Sequence, residues 1–463
     1  MSMQQTITPV NGDVYVERQF AGENHINAVL DGAVQAQRAW ALTTLEQRAA
    51  YCSRFCDALL THIDEIALEL AWQMGRPVSQ APNEVRTCVD RARYMIAEAP
   101  AGLAPLDPGP KEGFKRYVKR TPLGAVFVIA PWNYPLLTAV NSIVPAIMAG
   151  NVVVLKHAAQ TQLVAERFQQ AFDEAGLPEG VFQHIHVAGS TAERLVKDTR
   201  IAHVNFTGSV PVGHAVSRAA SERFISVGLE LGGKDPAYVR ADADVGFAVD
   251  NLIDGAFFNS GQSCCGIERI YAHESVFKEF VERAVAFTNT YRLGDPTNPE
   301  TNIGPVVSAK AAAFIRGQVD EAVSQGARAL INPASFPADK AGTPYVAPQI
   351  LVDVDHSMRV MTEETFGPVV GIMKVKDDNE AIRLMNDSEY GLTAAIFTRD
   401  VEAAERIGDR VETGTVFLNR CDALDPALPW VGVKDTGRGY TLSRWGYETL
   451  TRPKSYHLRL PAG

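Results

Sequence analysis

Between Ala125 and Gly208, four short apolar segments alternate with stretches of helical periodicity. The segments read AVFVIA, NVVVLK, FQHIHVA and HVNFTG, and the helices begin near Leu136, Leu163, Ala192 and Val212. Strands that are apolar throughout have no face to give to water. Helices spaced between them supply both the crossovers and the cover that a parallel sheet needs. The pattern commits the middle of the chain to an α/β architecture, and ligands in such sheets bind at the carboxyl ends of the strands. A second unit of the same class is expected from about Lys234. Its strands would be DPAYVR, GIERIYAH, GARALIN, QILVDV, VVGIMKV, TAAIFTR and TVFLN. Its helices would be Val245 to Phe258, Glu274 to Thr288, Ala311 to Gln325, Asn379 to Met385 and Val401 to Gly408.

Ahead of both units, apolar positions recur at helical spacing from about Ile26 to Ala99. A loop rich in Pro and Gly, Pro105 to Pro110, leads to Lys115–Arg120, where basic and apolar residues alternate as in an exposed strand. SYHLRLP, near the C-terminus, reads as one more strand.

The 463 residues are too many for one compact core and imply two or three domains. A net charge of -10, with both signs interspersed, argues against a nucleic-acid footprint, which needs clustered Lys and Arg. No apolar run reaches the roughly 20 residues of a membrane span. The N-terminus lacks the basic start and apolar run of a signal peptide. Cys52, Cys56, Cys88, Cys264, Cys265 and Cys421 form no CxxC pair and no zinc spacing, so no metal is expected. A reduced, cytoplasmic setting follows as an expectation.

Four stretches carry candidate chemistry. In FFNSGQSCCGIER, Cys264 follows small residues where a helix should give way to a strand, leaving room for a substrate and for backbone N–H groups. A thiolate there would be nucleophilic, although a cysteine alone reads equally as a small buried hydrophobe. In LELGGKDP, Glu230 sits in an apolar segment, where burial would raise its pKa and suit it as a general base. A strand-end carboxylate bonded to backbone is the other reading. In VIAPWNYPLL, Asn133 occupies the turn after a strand, as an oxyanion donor or as ordinary turn chemistry. In VNFTGSVPVG, a strand leads through Gly208 and Ser209 to Gly213 at the start of a helix, a place where a pyrophosphate could approach. It is not the GxGxxG fingerprint.

Together these stretches resemble the aldehyde dehydrogenase superfamily over about Thr44 to Ser455. The motifs PWN, VVVLK, FTGSxxxG, ELGGK, GQxC, EExFGP and GxVxxN occur in the family's order. The resemblance implies NAD(P)-dependent, hydrolytic oxidation of an aldehyde to a carboxylate. By it, Cys264 would be the nucleophile, passing through a thiohemiacetal and a thioester, Glu230 the base and Asn133 the oxyanion donor. It implies a Rossmann-like cofactor domain (1–105 and 123–233), an α/β catalytic domain (234–437) and a bridging β-unit (106–122 and 450–461) that joins a homodimer or homotetramer. Cofactor contacts would come from Ala130, Trp132, Lys156, Ala159, Gly208 and Ser209. Val212, Gly213, Leu231, Glu364 and Phe366 would complete them. The substrate tunnel would be lined by Tyr134, Thr138, Asn141 and Ser263, with Cys265, Arg420 and Leu424.

Three departures from the family pattern matter. KPxE becomes Lys156, His157, Ala158, Ala159. Without that Glu, no carboxylate repels a 2′-phosphate, so NADP is expected to be accepted alongside NAD. The KHA triplet and short N-terminus look like one branch of bacterial succinate-semialdehyde dehydrogenases, which implies a small polar aldehyde or semialdehyde. Asn141 stands where many relatives place an aromatic, and Arg420 could pair with a substrate carboxylate or face outward. The family's PFGG reads Pro429, Trp430, Val431, Gly432, so the backbone there is expected to differ. Two other functions compete: an acylating, coenzyme A-dependent dehydrogenase, which commonly lacks a base like Glu230, and a non-catalytic protein on the same fold.

Overall fold

The structure, a computed structural model, describes residues 3–461. Six strands form the first sheet, in the order 437–438, 226–230, 201–207, 125–130, 152–157, 182–184. All pair in parallel except the edge strand Gly437–Arg438. Ala125–Ala130 is buried at every position, as a central strand covered on both faces must be. The chain runs outward from this strand through 152–157 to 182–184, then returns to its other side at 201–207. Loops after strands 125–130 and 201–207 therefore leave in opposite senses and open a crevice between them. PWN and FTGS are those two loops.

The second sheet has seven strands, in the order 328–329, 349–352, 369–375, 267–273, 235–239, 393–397, 415–418. Only Arg328–Ala329, the residue of the expected strand GARALIN, runs antiparallel. The helices lie close to their expected bounds, with Glu274–Thr288 and Val401–Gly408 matching both ends. One expectation needs correcting. The first sheet offers its loops from the carboxyl ends of its strands, but in the second unit Cys264 precedes the strand Ile267–His273, at its amino end.

Four helices, Glu23–Trp40, Leu45–Thr61, Ile63–Met74 and Ala81–Gly102, share one hydrophobic core with the first sheet. An antiparallel ribbon, Met3–Ile7 with Val14–Gln19, precedes them and was not foreseen from the sequence. Phe114–Pro122 and Thr451–Arg459 pair over nine residues as a projecting arm. Tyr117 stacks on Tyr456 at 4.5 Å along it. Asn151 pins its base, accepting from the Leu123 and Gly124 N–H groups and donating to the Leu450 carbonyl.

A buried ion pair ties these parts together. Arg76, 2% exposed, pairs with Glu84, 4% exposed, in the loop and helix that follow Met74. Glu84 also accepts from the Leu136 N–H at 2.9 Å, at the start of the helix Pro135–Met148, which has no side-chain cap of its own. Arg76 donates to the Asn133 carbonyl at 2.5 Å and to Asn259 Oδ1 at 3.1 Å, and its guanidinium lies over the Tyr134 ring. Breaking one side of such a pair strands a buried charge, at a cost of about 3–5 kcal/mol. E84Q is expected to destabilise the chain by that order, read from its urea midpoint, and R76M/E84L to recover part of the loss. An unchanged E84Q midpoint would refute the assignment.

Candidate active site

Cys264 follows a segment of unusual backbone. Asn259, Ser260 and Gly261 have φ of 53, 58 and 69°. Two of these residues carry a Cβ and pay strain for the left-handed conformation. Side-chain bonds hold them there. Asn259 Nδ2 donates to the carbonyls of Asn133 and Gln262, both at 3.1 Å, and Ser260 Oγ donates to the Gly304 carbonyl at 2.8 Å. Gly261 lies so close to the Gly367 backbone that a Cβ would collide with it. The strained turn delivers Cys264, half-buried, into a cavity of about 650 Å³.

Asn133, 4% exposed, packs on the same turn and donates one amide N–H to the Gln262 carbonyl at 3.2 Å. An amide carries two N–H donors, so one remains for a ligand. Glu230 ends the strand Ser226–Glu230 and lines the cavity. Burial raises its pKa, while hydrogen bonds from Thr441 (2.6 Å) and Thr207 (3.4 Å) pull it down. Thr436 fixes the chain beyond it: its carbonyl accepts from Leu231 N–H and its hydroxyl donates to the Gly232 carbonyl.

All seven expected tunnel residues line this cavity. Tyr134, Thr138 and Asn141 come from one helix, Ser263 and Cys265 flank the nucleophile, and Arg420 and Leu424 come from the loop after strand 415–418. Arg420 is exposed and sits at the mouth. Asp422, not foreseen, accepts from Cys265 Sγ (2.8 Å) and Ser263 Oγ (3.1 Å), and burial lifts its pKa to about 6. Val431 pairs with Tyr440 in a short antiparallel ladder next to Thr441, the partner of Glu230.

The remaining expected residues gather on the opposite side of Cys264. Trp132 meets Phe366 edge to face at 5.5 Å. Glu364 accepts from the Gly233 N–H at 3.0 Å, and burial with Glu268 nearby raises its pKa to about 8. The buried pair Lys234–Glu268 holds this loop: Glu268 accepts from the N–H groups of Thr365 and Phe366, and Lys234 donates to Thr365 Oγ1. Ala130 ends the central strand, buried. Further out, Gly208 and Ser209 lead into the helix Val210–Ala220, whose first turn has no side-chain cap. Gly213 allows that helix to touch Leu231, since a Cβ there would lie 2.5 Å from a Leu231 methyl. Val212 is 48% exposed. Lys156 is half-buried without a carboxylate partner among the described residues, and burial lowers its pKa. Ala159 is exposed beside it.

An uncapped helix start, an unpaired lysine and an exposed apolar side chain fit the phosphates, ribose and base of a dinucleotide. His157, between Lys156 and Ala159, is buried; its Nε2–H donates to the Pro135 carbonyl (3.1 Å), and its Nδ1 accepts from the Thr161 hydroxyl (3.1 Å). Burial lowers its pKa to about 3, so it stays neutral and holds the strand end against the helix start.

The aldehyde dehydrogenase family model matches residues 2–456. A succinate-semialdehyde dehydrogenase [NADP(+)] of Mycobacterium avium is 34% identical over 453 residues, 97% of this chain and 95% of the relative. A succinate semialdehyde dehydrogenase [NAD(P)+] of Escherichia coli is 35% identical over 441 residues, 95% of each. Among solved structures, the succinic semialdehyde dehydrogenase of Streptococcus pyogenes in complex with NADP+ superposes with a TM-score of 0.93 at 28% identity, covering 98% of this chain and 99% of that one. The ordered motifs, the doubly wound sheet and these likenesses agree: the chain belongs to the aldehyde dehydrogenase family, oxidoreductases that act on aldehydes.

Proposed function

We propose that this chain oxidises a small polar aldehyde to its carboxylate with NAD or NADP, through covalent catalysis at Cys264. The observation that carries this reading is one cavity lined by a half-buried thiol and a half-buried carboxylate of raised pKa, with an amide donor behind the thiol. In the first half, Cys264 Sγ bonds to the carbonyl carbon and the carbonyl π pair moves onto oxygen. The free Asn133 amide N–H and the Cys264 backbone N–H stabilise that oxyanion. Trp132, Glu364 and Phe366 would hold an oxidised nicotinamide, which when bound would supply the acceptor for the hydrogen and electron pair that leave the carbon. Lys156, Ser209 and Val212 would hold the rest of the dinucleotide.

In the second half, the acyl group sits on Cys264 as a thioester. Glu230 takes a proton from water as the water oxygen bonds to the acyl carbon, and the carbon–sulfur bond breaks to return the thiolate. Glu230 on the cavity wall favours water over coenzyme A as acceptor. The relatives named for succinate semialdehyde support a semialdehyde substrate, and those named for NADP support its use here. Ala159 supports the same cofactor reading, because no carboxylate stands beside Lys156 to repel a 2′-phosphate. The projecting arm, with its outer strand exposed, suits strand addition to another copy of the chain. Among the described residues no helix is long and apolar enough to cross a membrane. All six cysteines are free, which favours a reduced compartment.

C264A is expected to turn over aldehyde at less than about a thousandth of the parent rate, measured by cofactor reduction. E230Q is expected to give one burst of reduced cofactor per site and then slow by about a hundredfold or more. The unprotonated Glu230 is the working form, so hydrolysis in the parent should speed up as pH rises through its raised pKa, and E230Q should lose that limb. A full-rate, burst-free E230Q would refute hydrolysis through this base. A159E is expected to cut the NADP/NAD efficiency ratio by about tenfold or more. A parent preference for NAD above about a hundredfold would refute the cofactor reading.

A further inference from the structure

The cavity holds a buried cation that the oxidation leaves unused. Arg91 lies on the helix Ala81–Gly102, is 7% exposed and lines the same cavity as Cys264. Its Nη1 reaches the Leu137 carbonyl and Asn141 Oδ1, both at a long 3.4 Å. Its Nε is buried with no hydrogen-bond partner, and among the described residues Arg91 forms no ion pair. Burying a guanidinium this way costs several kcal/mol unless an anion and good acceptors surround it. Arg76, in the loop that precedes the same helix and also buried, has Glu84 for that purpose.

None of the acids that share the cavity pairs with Arg91: Asp250 and Asp254 are exposed, and the two others are already engaged. Glu230 is bonded by Thr441 and Thr207, and Asp422 by Cys265 and Ser263. Arg91 therefore keeps a donor edge without an acceptor. Asn141, one turn beyond Thr138 on the facing helix, turns its oxygen to Arg91 and leaves its Nδ2 as a second donor on the cavity wall. A guanidinium edge and an amide N–H match the two oxygens of a carboxylate. A phosphate dianion would bring a second charge with no buried cation to meet it, and Asp422 nearby would add to the repulsion.

We propose that Arg91, with Asn141, binds a carboxylate at the far end of the substrate, which makes the chain selective for short semialdehydes that carry an ω-carboxylate. This rests on the reading of Cys264 as the nucleophile. Arg91 also acts electrostatically on Cys264 and Glu230, and a role confined to that field would affect every aldehyde alike.

The test compares succinate semialdehyde with butanal, its uncharged counterpart, in the parent, R91M, R91K and R420M. In the parent, kcat/KM is expected to favour the semialdehyde by at least about thirtyfold. In R91M the semialdehyde/butanal ratio should fall by about that factor, mainly through KM, with R91K intermediate and R420M lowering it less than R91M does. The ratio cancels any loss common to both substrates, and the parent measurement holds even if R91M does not fold. Butanal oxidised with no preference for the semialdehyde would overturn this inference while leaving the dehydrogenase reading intact. So would a ratio unmoved in R91M, or one that collapses in R420M instead. If the parent oxidises neither aldehyde, the reading of Cys264 fails and the inference falls with it.

Discussion

A guanidinium sealed from water has to be met by acceptors on every side, and around Arg76 those acceptors are parts of the active site. The Asn133 carbonyl belongs to the first sheet's PWN loop, Asn259 to the turn before the nucleophile, and Glu84 to the helical layer. None can shift without uncovering a buried charge. Glu84 adds a constraint of its own, since it also satisfies the first N–H groups of the helix that carries Tyr134, Thr138 and Asn141. The oxyanion donor, the nucleophile's turn and one wall of the substrate cavity are thus referred to a single ion pair. Strain in the 259–261 turn is sustainable because this network, and not the local sequence, dictates the conformation.

A second buried pair performs the same task on the cofactor side. Lys234 and Glu268 come from segments either side of the Cys264 loop, and together they grip the backbone of Thr365 and Phe366. Glu364 is then presented to the Gly233 N–H, so that ELGGK, GIER and EETFGP behave as one rigid piece. The close approach of Gly261 to Gly367 joins that piece to the nucleophile's turn. Charges that look expendable one at a time set the spacing between the thiol and the place where a nicotinamide would lie.

The sheet strands were readable because a strand buried on both faces must be apolar, and 125–130 and 152–155 are so throughout. The motif residues were readable because their order is distinctive. Arg76, Glu84 and Arg91 were not singled out, although a signal existed. On the helix Ala81–Gly102 the buried positions run Ala81, Glu84, Val85, Cys88, Val89, Arg91, Ala92, Met95, and two charges fall on that apolar stripe. A charge on a stripe that must face the core is either paired or reserved, and here one of each occurs. Thr441, Thr436 and Asp422 left no such mark. They lie far along the chain in segments without periodicity, and only the return of strand 437–438 to the first sheet brings them to Glu230 and Cys265.

Burial alone would push Glu230 towards permanent protonation and leave it unable to accept a proton from water. The two threonine hydroxyls offset that by bonding the ionised form, each bringing a donor from a different strand. Arg91 acts in the same direction on Glu230 from across the cavity, without a direct bond. A carboxylate seated against Arg91 would withdraw that help while the substrate is bound, leaving the two threonine hydroxyls to keep Glu230 ionised when water must be activated. The same guanidinium therefore favours an anionic substrate and, while unoccupied, helps to keep the base ionised.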